Sequence, residues 1–489
     1  KGSEDLAKAS PSAEDQSNLG QAPEVESLHV LHHKQVSQTE IFDRHLGQAP
    51  RAKRPNMSES YEACLTYLYG LQKHGIKLGL DTIRILLAQC QHPEKQFTAL
   101  HIGGTNGKGS TAAMTAAILR AANVRVGLYT SPHLIDFRER IQVQGEQIPE
   151  SRVVDLVERF RNGSDAAGTP TFFETATAMA FQYFAEEQVE VAVIEVGMGG
   201  RFDATNVCHP SGVLVTNVSF DHESYLGHTL GSIAYEKAGI IKPGVPLVMG
   251  PMAAEAHAVI QQRANECGVP LCQYGSDFTI DVHEDGMFDY GGPTHKFSNL
   301  PCALNGAHQR VNAACALALL EQSVMENRSI SKEAIVQGLS SVSWEGRLET
   351  LMSRPLMVCD GAHNPAAATC LAHNLRTMIN DVPDRKLILI VAQMRDKNIK
   401  AFLAELLPLA DAIICTQIDH SRSATVQELQ DRLPNGAPAV HGVPIPSDAL
   451  ALATRLADSR DLICVTGSLF LVGAVKSVLA GSTYAPIVG

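Results

Sequence analysis

The chain has 489 residues, 45% hydrophobic and 19% charged, enough for roughly two to four domains with buried cores, which excludes a small stapled scaffold and a wholly disordered chain. Its 40 Lys and Arg against 52 Asp and Glu give a formal net charge of -12, which would repel phosphate polymers and argues against nucleic acid as a partner. The 11 cysteines lack C-x-x-C spacing and read as reduced thiols of a cytoplasmic protein, and no apolar run approaches the roughly 20 residues of a membrane span.

Residues 1–56 mix acids, bases, Ser, Gln and Pro without an apolar segment, so they read as a disordered extension, neither signal nor transit peptide. Helical spacing of Tyr61, Leu65, Leu68 and Leu71 begins just after Met57, a candidate native start. From residue 98, β-branched runs alternate with Ala-rich helical ones, the pattern of parallel βαβ units. Strands are expected at residues 98–102, 124–129, 191–196, 213–218 and 246–249, with helices at 111–122 and 172–186 among them. Residues 269–300 change character and predict a β-hairpin insert, Phe278-Thr279-Ile280-Asp281-Val282 alternating beside Gly-rich turns. After a helix at 309–322, a second series of strands at 355–359, 387–391, 412–415 and 462–465 predicts a smaller α/β domain over 343–489, behind a first domain over 57–342. The close pair Cys267 and Cys272 reads as packing, not as a metal clip.

The expected strand at 98–102 runs into Gly103-Gly104-Thr105-Asn106-Gly107-Lys108-Gly109-Ser110-Thr111 and then a helix. Glycines let backbone N–H groups approach a polyphosphate and the helix start adds partial positive charge. Lys108 would meet the outer phosphates, and the Ser110 hydroxyl suits Mg²⁺. Gly109 separates Lys108 from Ser110, a departure from the plain G-x-x-x-x-G-K-[ST] spacing.

Farther along, the strand at 191–196 carries Glu195 to the ligand edge of a parallel sheet, where a carboxylate suits Mg²⁺. The next strand leads to Asp221-His222; a lone His is more often structural, but this one falls on the same edge. Lys237, within Tyr235-Glu236-Lys237-Ala238-Gly239, reads on composition alone as a surface lysine of an amphipathic helix, and Arg347 alone as a surface arginine.

Taken in order, these runs resemble the folylpolyglutamate synthase and dihydrofolate synthase family of Mur-type amide ligases. The resemblance extends from about Tyr61 to the C-terminus. It also includes Gly75-Ile76-Lys77-Leu78-Gly79-Leu80, Tyr129-Thr130-Ser131-Pro132-His133-Leu134, Gly199-Gly200-Arg201-Phe202-Asp203-Ala204-Thr205-Asn206, His308-Gln309 with Asn312, Gly346-Arg347-Leu348-Glu349, Asp360-Gly361-Ala362-His363-Asn364-Pro365 and Thr466-Gly467-Ser468-Leu469-Phe470.

The resemblance implies a P-loop-containing parallel-sheet ATPase domain followed by a smaller Rossmann-like α/β domain. It implies that Gly104 to Thr111 hold ATP phosphates, that Ser110, Ser131, Glu195 and His222 surround two Mg²⁺ ions, and that Lys237 carries a CO₂ adduct as a carbamate. Asn312 would lie near the base, Asp360 at the ribose with His363 in the same loop, and Arg347 would reach the phosphates from the second domain. Ser131, Asp203, Ala204 and the run from Ile76 to Leu80 would face the pterin end of the substrate. The implied activity is ATP-dependent addition of L-glutamate to dihydropteroate or to a folate tail through an acyl phosphate, by a monomer.

Three positions depart from the family pattern: Glu345 where Pro is usual, Gln393 where a small residue is usual before Met394-Arg395-Asp396-Lys397, and a loose basic loop at Ser421-Arg422-Ser423. Another Mur-type amino-acid ligase is the runner-up. A P-loop switch NTPase or a nucleotide-binding scaffold without turnover would lack dependence of ATP use on an amino acid.

Overall fold

A computed structural model describes residues 57–75, 79–162, 168–325 and 328–482. The expected N-terminal extension and the Ile76-Lys77-Leu78 part of the family run lie outside the described residues.

The first sheet holds β1 (Thr98–Gly103), β2 (Val126–Tyr129), β3 (Ile141–Val143), β4 (Glu146–Gln147), β5 (Val191–Glu195), β6 (Pro210–Val215), β7 (Leu247–Met249) and β8 (Leu271–Gln273). Their order is β4-β3-β2-β5-β1-β6-β7-β8. The six strands from β2 to β8 in that order run parallel, and β3 and β4 extend the sheet antiparallel. Side chains alternate across the sheet: Leu100 and Ile102 enter one core with the helices Lys108–Ala121, Ala307–Ser323 and Lys332–Ser341, while Ala99 enters another with Met57–Gly70, Asp81–Gln89 and Phe172–Glu186. Both faces are covered, which is why these strands read as apolar runs and not as alternating ones.

β9 (Thr279–Val282), β10 (Phe288–Gly291) and β11 (Lys296–Leu300) form a separate antiparallel sheet. The expected hairpin at 269–300 is thus corrected: residues 271–273 belong to the first sheet, and the remainder makes three strands. Phe288, Tyr290 and Leu300 face the core. The Tyr290 hydroxyl donates to buried Glu321 at 2.5 Å, fixing this sheet to the helix Ala307–Ser323.

The last sheet contains β12 (Glu349–Ser353), β13 (Leu356–Cys359), β14 (Leu387–Val391), β15 (Ala412–Cys415), β16 (Ala439–Gly442) and β17 (Leu462–Thr466), ordered β12-β13-β17-β14-β15-β16 with only β12 antiparallel. All eleven cysteines are free. Among the described residues no helix is long and apolar enough to cross a membrane.

Candidate active site

Strand order decides what meets at the ligand edge. β1 lies between β5 and β6, with Ile102 paired to Glu195 and Gly103 to Val215. The glycine loop after β1 therefore sits between Glu195 and the residues that follow β6. In the last sheet, β13 delivers Asp360 and His363 to the same place. The result is a cleft of about 330 Å³ whose wall includes residues 104–110, Ser131, Glu195, His222, Lys237, Asn312, Arg347, Asp360 and His363.

The expected strand at 213–218 ends at Val215 because the next residues bind the glycine loop. Thr216 Oγ1 donates to the Asn106 carbonyl at 2.7 Å, and the Asn217 amide accepts from Asn106 N at 3.0 Å and donates to its carbonyl at 2.8 Å. The following helix starts at Lys108, three residues earlier than expected, because left-handed Gly107 (φ 83°) caps it. Glycine is required at two points: a Cβ on Gly104 (φ 137°) would lie 1.9 Å from Thr216 Oγ1, and one on Gly107 would lie 2.5 Å from Asn312 Oδ1.

Three cations face this cleft without any ion pair among the described residues: Lys108, Lys237 and Arg347. Lys108 Nζ donates to the Thr105 carbonyl at 3.0 Å, and Lys237 Nζ to the Gly104 carbonyl at 2.9 Å. Lys237 is 4% exposed, so the surface lysine expected from composition is corrected: it lies on the buried face of its helix with Ile233, Ala234 and Ala238 and reaches the cleft from there. Burial, aided by the Lys108 charge, pushes its ammonium down to about 7. Burial also lowers Lys108, against the pull of Glu195 and Asp221. Glu195 is buried and accepts from Ser131 N at 3.0 Å; burial raises its carboxyl although Lys108 opposes the shift. Burial and the Lys397 charge push His222 down to about 3, leaving the neutral imidazole that a metal needs.

Arg347 stands in a constrained linker. Leu348 adopts φ 46°, and its N–H donates to Asp360 Oδ2 at 2.8 Å, while Ala362 N donates to Asp360 Oδ1 at 2.8 Å. Glu349 accepts from Gly346 N at 2.7 Å and pairs with Lys476 at 2.6 Å. Glu345, at the position where Pro is usual, pairs with the same lysine at 2.7 Å.

Two groups of expected site residues do not reach the cleft wall. Thr111 is buried and its hydroxyl donates to the Gly107 carbonyl at 2.8 Å. Asp203 caps the short helix Ala204–Val207; its carboxylate accepts from Thr205 N at 3.0 Å and Met198 N at 2.9 Å, and Ala204 is buried beside it. Conversely, the reading of the sequence did not single out Asn106, Thr216 or Asn217 as loop tethers, or Asn364 and Lys397 as partners of Asp221. The only signal was a polar run directly after a buried strand.

The Mur ligase middle domain family matches residues 102–320, and the Mur ligase glutamate ligase domain family matches residues 346–469. The dihydrofolate synthase/folylpolyglutamate synthase of Bacillus subtilis is 34% identical over 437 residues, covering 86% of this chain and all of the relative. This chain belongs to the dihydrofolate synthase/folylpolyglutamate synthase family. Escherichia coli FolC, solved in complex with DHPP and ADP, matches with a TM-score of 0.79 at 30% identity, covering 87% of this chain and 99% of that one. The bifunctional synthase of Yersinia pestis, solved with AMPPNP and a Mn ion, matches with a TM-score of 0.78 at 31% identity, covering 88% and 100%.

The cleft of this synthase-family chain fits a nucleotide triphosphate and a divalent cation. The Gly104 and Gly107 cradle leaves no room for a side chain, and Lys108, Lys237 and Arg347, without ion-pair partners among the described residues, surround it. Among the described residues no three His, Cys, Asp or Glu side chains converge as a metal cage. The candidate donors expected from the sequence, Glu195, the Ser110 and Ser131 hydroxyls and His222, all line the cleft, a sparse hard set of the kind Mg²⁺ accepts when phosphates and water complete its shell.

Proposed function

We propose that this dihydrofolate synthase/folylpolyglutamate synthase family member joins L-glutamate to dihydropteroate and to the glutamate tail of tetrahydrofolates, using ATP. The observation that carries the reading is the convergence of Lys108 and Arg347, neither of them ion-paired among the described residues, on a glycine cradle beside Glu195. A cleft so built suits a polyanion in a chain whose net charge is -12.

A carboxylate resists an amine because oxide leaves poorly. The acceptor carboxylate takes the ATP γ-phosphoryl group, ADP departs, and the glutamate amine then attacks the acyl carbon with phosphate as leaving group. Lys108 and Arg347 balance charge on the group in transfer, and the N–H groups of residues 104–110 hold the remaining phosphates. Mg²⁺ held by Ser110, Ser131, Glu195 and His222 supplies further charge neutralisation. Asn312 lines the base side, and Asp360, with His363 beside it, both shapes the Arg347 linker and offers its remaining lone pairs to the ribose. Ser131 faces the acceptor, and Asp203 with Ala204 supports that side through Met198, whose N–H Asp203 holds.

The lowered Lys237 ammonium favours the carbamate, since only a neutral amine adds CO₂, releasing a proton and leaving an oxygen-bearing anion. Every side chain named belongs to one chain, so we take the monomer as the working unit. The free thiols suit the reducing cytoplasm. ADP release with Mg²⁺-ATP and glutamate, compared between dihydropteroate and tetrahydrofolate monoglutamate, tests the reading. Turnover with both is expected; turnover with one alone narrows the activity, and ATP use that ignores glutamate overturns the ligase.

A further inference from the structure

At the cleft wall, and reaching behind it to Lys397 and Asn364, a second set of contacts joins the first and last sheets. Asp221 follows β6, whereas Lys397 follows β14. Lys397 Nζ donates to Asp221 Oδ1 at 2.5 Å, and the two side chains are only 9% and 6% exposed. The same Oδ1 accepts from His222 N at 2.8 Å, and Lys397 Nζ lies 3.4 Å from His222 Nε2. Asp221 Oδ2 accepts from Asn364 Nδ2 at 3.1 Å and lies 3.2 Å from His363 Nε2. Asn364 also exchanges two amide hydrogen bonds with Asn106 of the glycine loop, at 2.9 and 3.2 Å.

Lys397 does not line the cleft; its ammonium is directed at Asp221 and, beyond it, His222. His222 occupies φ 51°, a left-handed conformation that is costly for a residue with a Cβ. Its N–H bond to Asp221 offsets part of that cost, and Lys397 fixes the carboxylate that makes the bond. A buried ion pair adds little net stability, because desolvation cancels most of the attraction, but it rejects other geometries.

We propose that Lys397 is a positioning residue: with Asp221 it forms a latch between the two sheets that holds His222 and residues 363–364 against the phosphate loop during turnover. This rests on the ligase reading of the same cleft. The latch explains why a lysine outside the cleft is nearly buried against a carboxylate from another sheet.

The test uses the full chain as wild type, Lys397→Met, Lys397→Arg, Asp221→Asn and the Lys397→Met/Asp221→Asn double variant. Wild-type ADP release must depend on glutamate; failure there rejects the ligase reading, and small-angle scattering then judges the latch by itself. Lys397→Met is expected to lower kcat roughly 10- to 100-fold, as slight misplacement of reacting groups does, with KM for ATP and for glutamate within about threefold. Lys397→Arg is expected to recover part of kcat. The double variant, in which no charge is left unpaired, is expected to lose no more than the worse single variant, because coupled groups are not additive; it carries the comparison should Lys397→Met not melt cooperatively. With an ATP analogue bound, the radius of gyration of Lys397→Met is expected to exceed that of wild type. Additive losses, a defect confined to KM for glutamate, or kcat and scattering both equal to wild type would overturn the latch.

Discussion

Lys237 shows how far a residue's setting departs from its type. The Mur-type motif marked it, whereas composition alone pointed to solvent; its burial depends on β1 and its loop, more than a hundred residues earlier, whose Gly104 carbonyl accepts its hydrogen bond. With its ammonium lowered to about 7, the neutral amine dominates above that pH and is lost below it. Carbon-13 bicarbonate should therefore yield a carbamate NMR signal that grows as pH rises through about 7 and is missing from Lys237→Ala. That variant should lose on the order of 100-fold or more in kcat, the scale of removing one fixed charge stabiliser. An undiminished signal in Lys237→Ala would remove the assignment. Asp203 carries the opposite lesson. The motif around it is fully legible, yet its carboxylate serves the loop that carries Met198 and stays off the cleft wall.

The phosphate loop is held from both sides: Thr216 and Asn217 tether it from the strand beside β1, and Asn312 closes on Gly107 from the helix Ala307–Ser323. Gly107→Ala places a methyl 2.5 Å from Asn312 Oδ1 at φ 83°. We expect at least about a tenfold loss of ATP affinity by calorimetry, and partial recovery in Gly107→Ala/Asn312→Ala, where the clash is relieved but the left-handed strain of roughly 1 kcal/mol remains. No recovery would mean that Asn312 does not shape the loop. Strands buried on both faces, such as Leu387–Val391, were legible because they are continuous apolar runs. β3, β4, β12 and β16 were not, being short, edge-lying or partly exposed. The helix start at Lys108 was misplaced because its cap is a glycine conformation, which carries no side-chain signature.

The two larger sheets face one cleft with the ligand edges of their parallel strands, and the proposed chemistry draws on both: the first brings the glycine loop, Glu195 and Lys237, and the linker into the last brings Arg347. Motif order revealed both halves, but not the Asp221, Asn364 and Lys397 contacts between them, which join residues 143 and 176 apart in sequence. The proposed acyl phosphate makes one commitment that no hydrolysing NTPase shares. Dihydropteroate labelled with oxygen-18 in its carboxylate, turned over with ATP and glutamate, should pass one labelled oxygen to each inorganic phosphate released, because the bond cleaved by the amine is the acyl carbon to oxygen bond. Phosphate released without label, while the amide still forms, would contradict the mechanism.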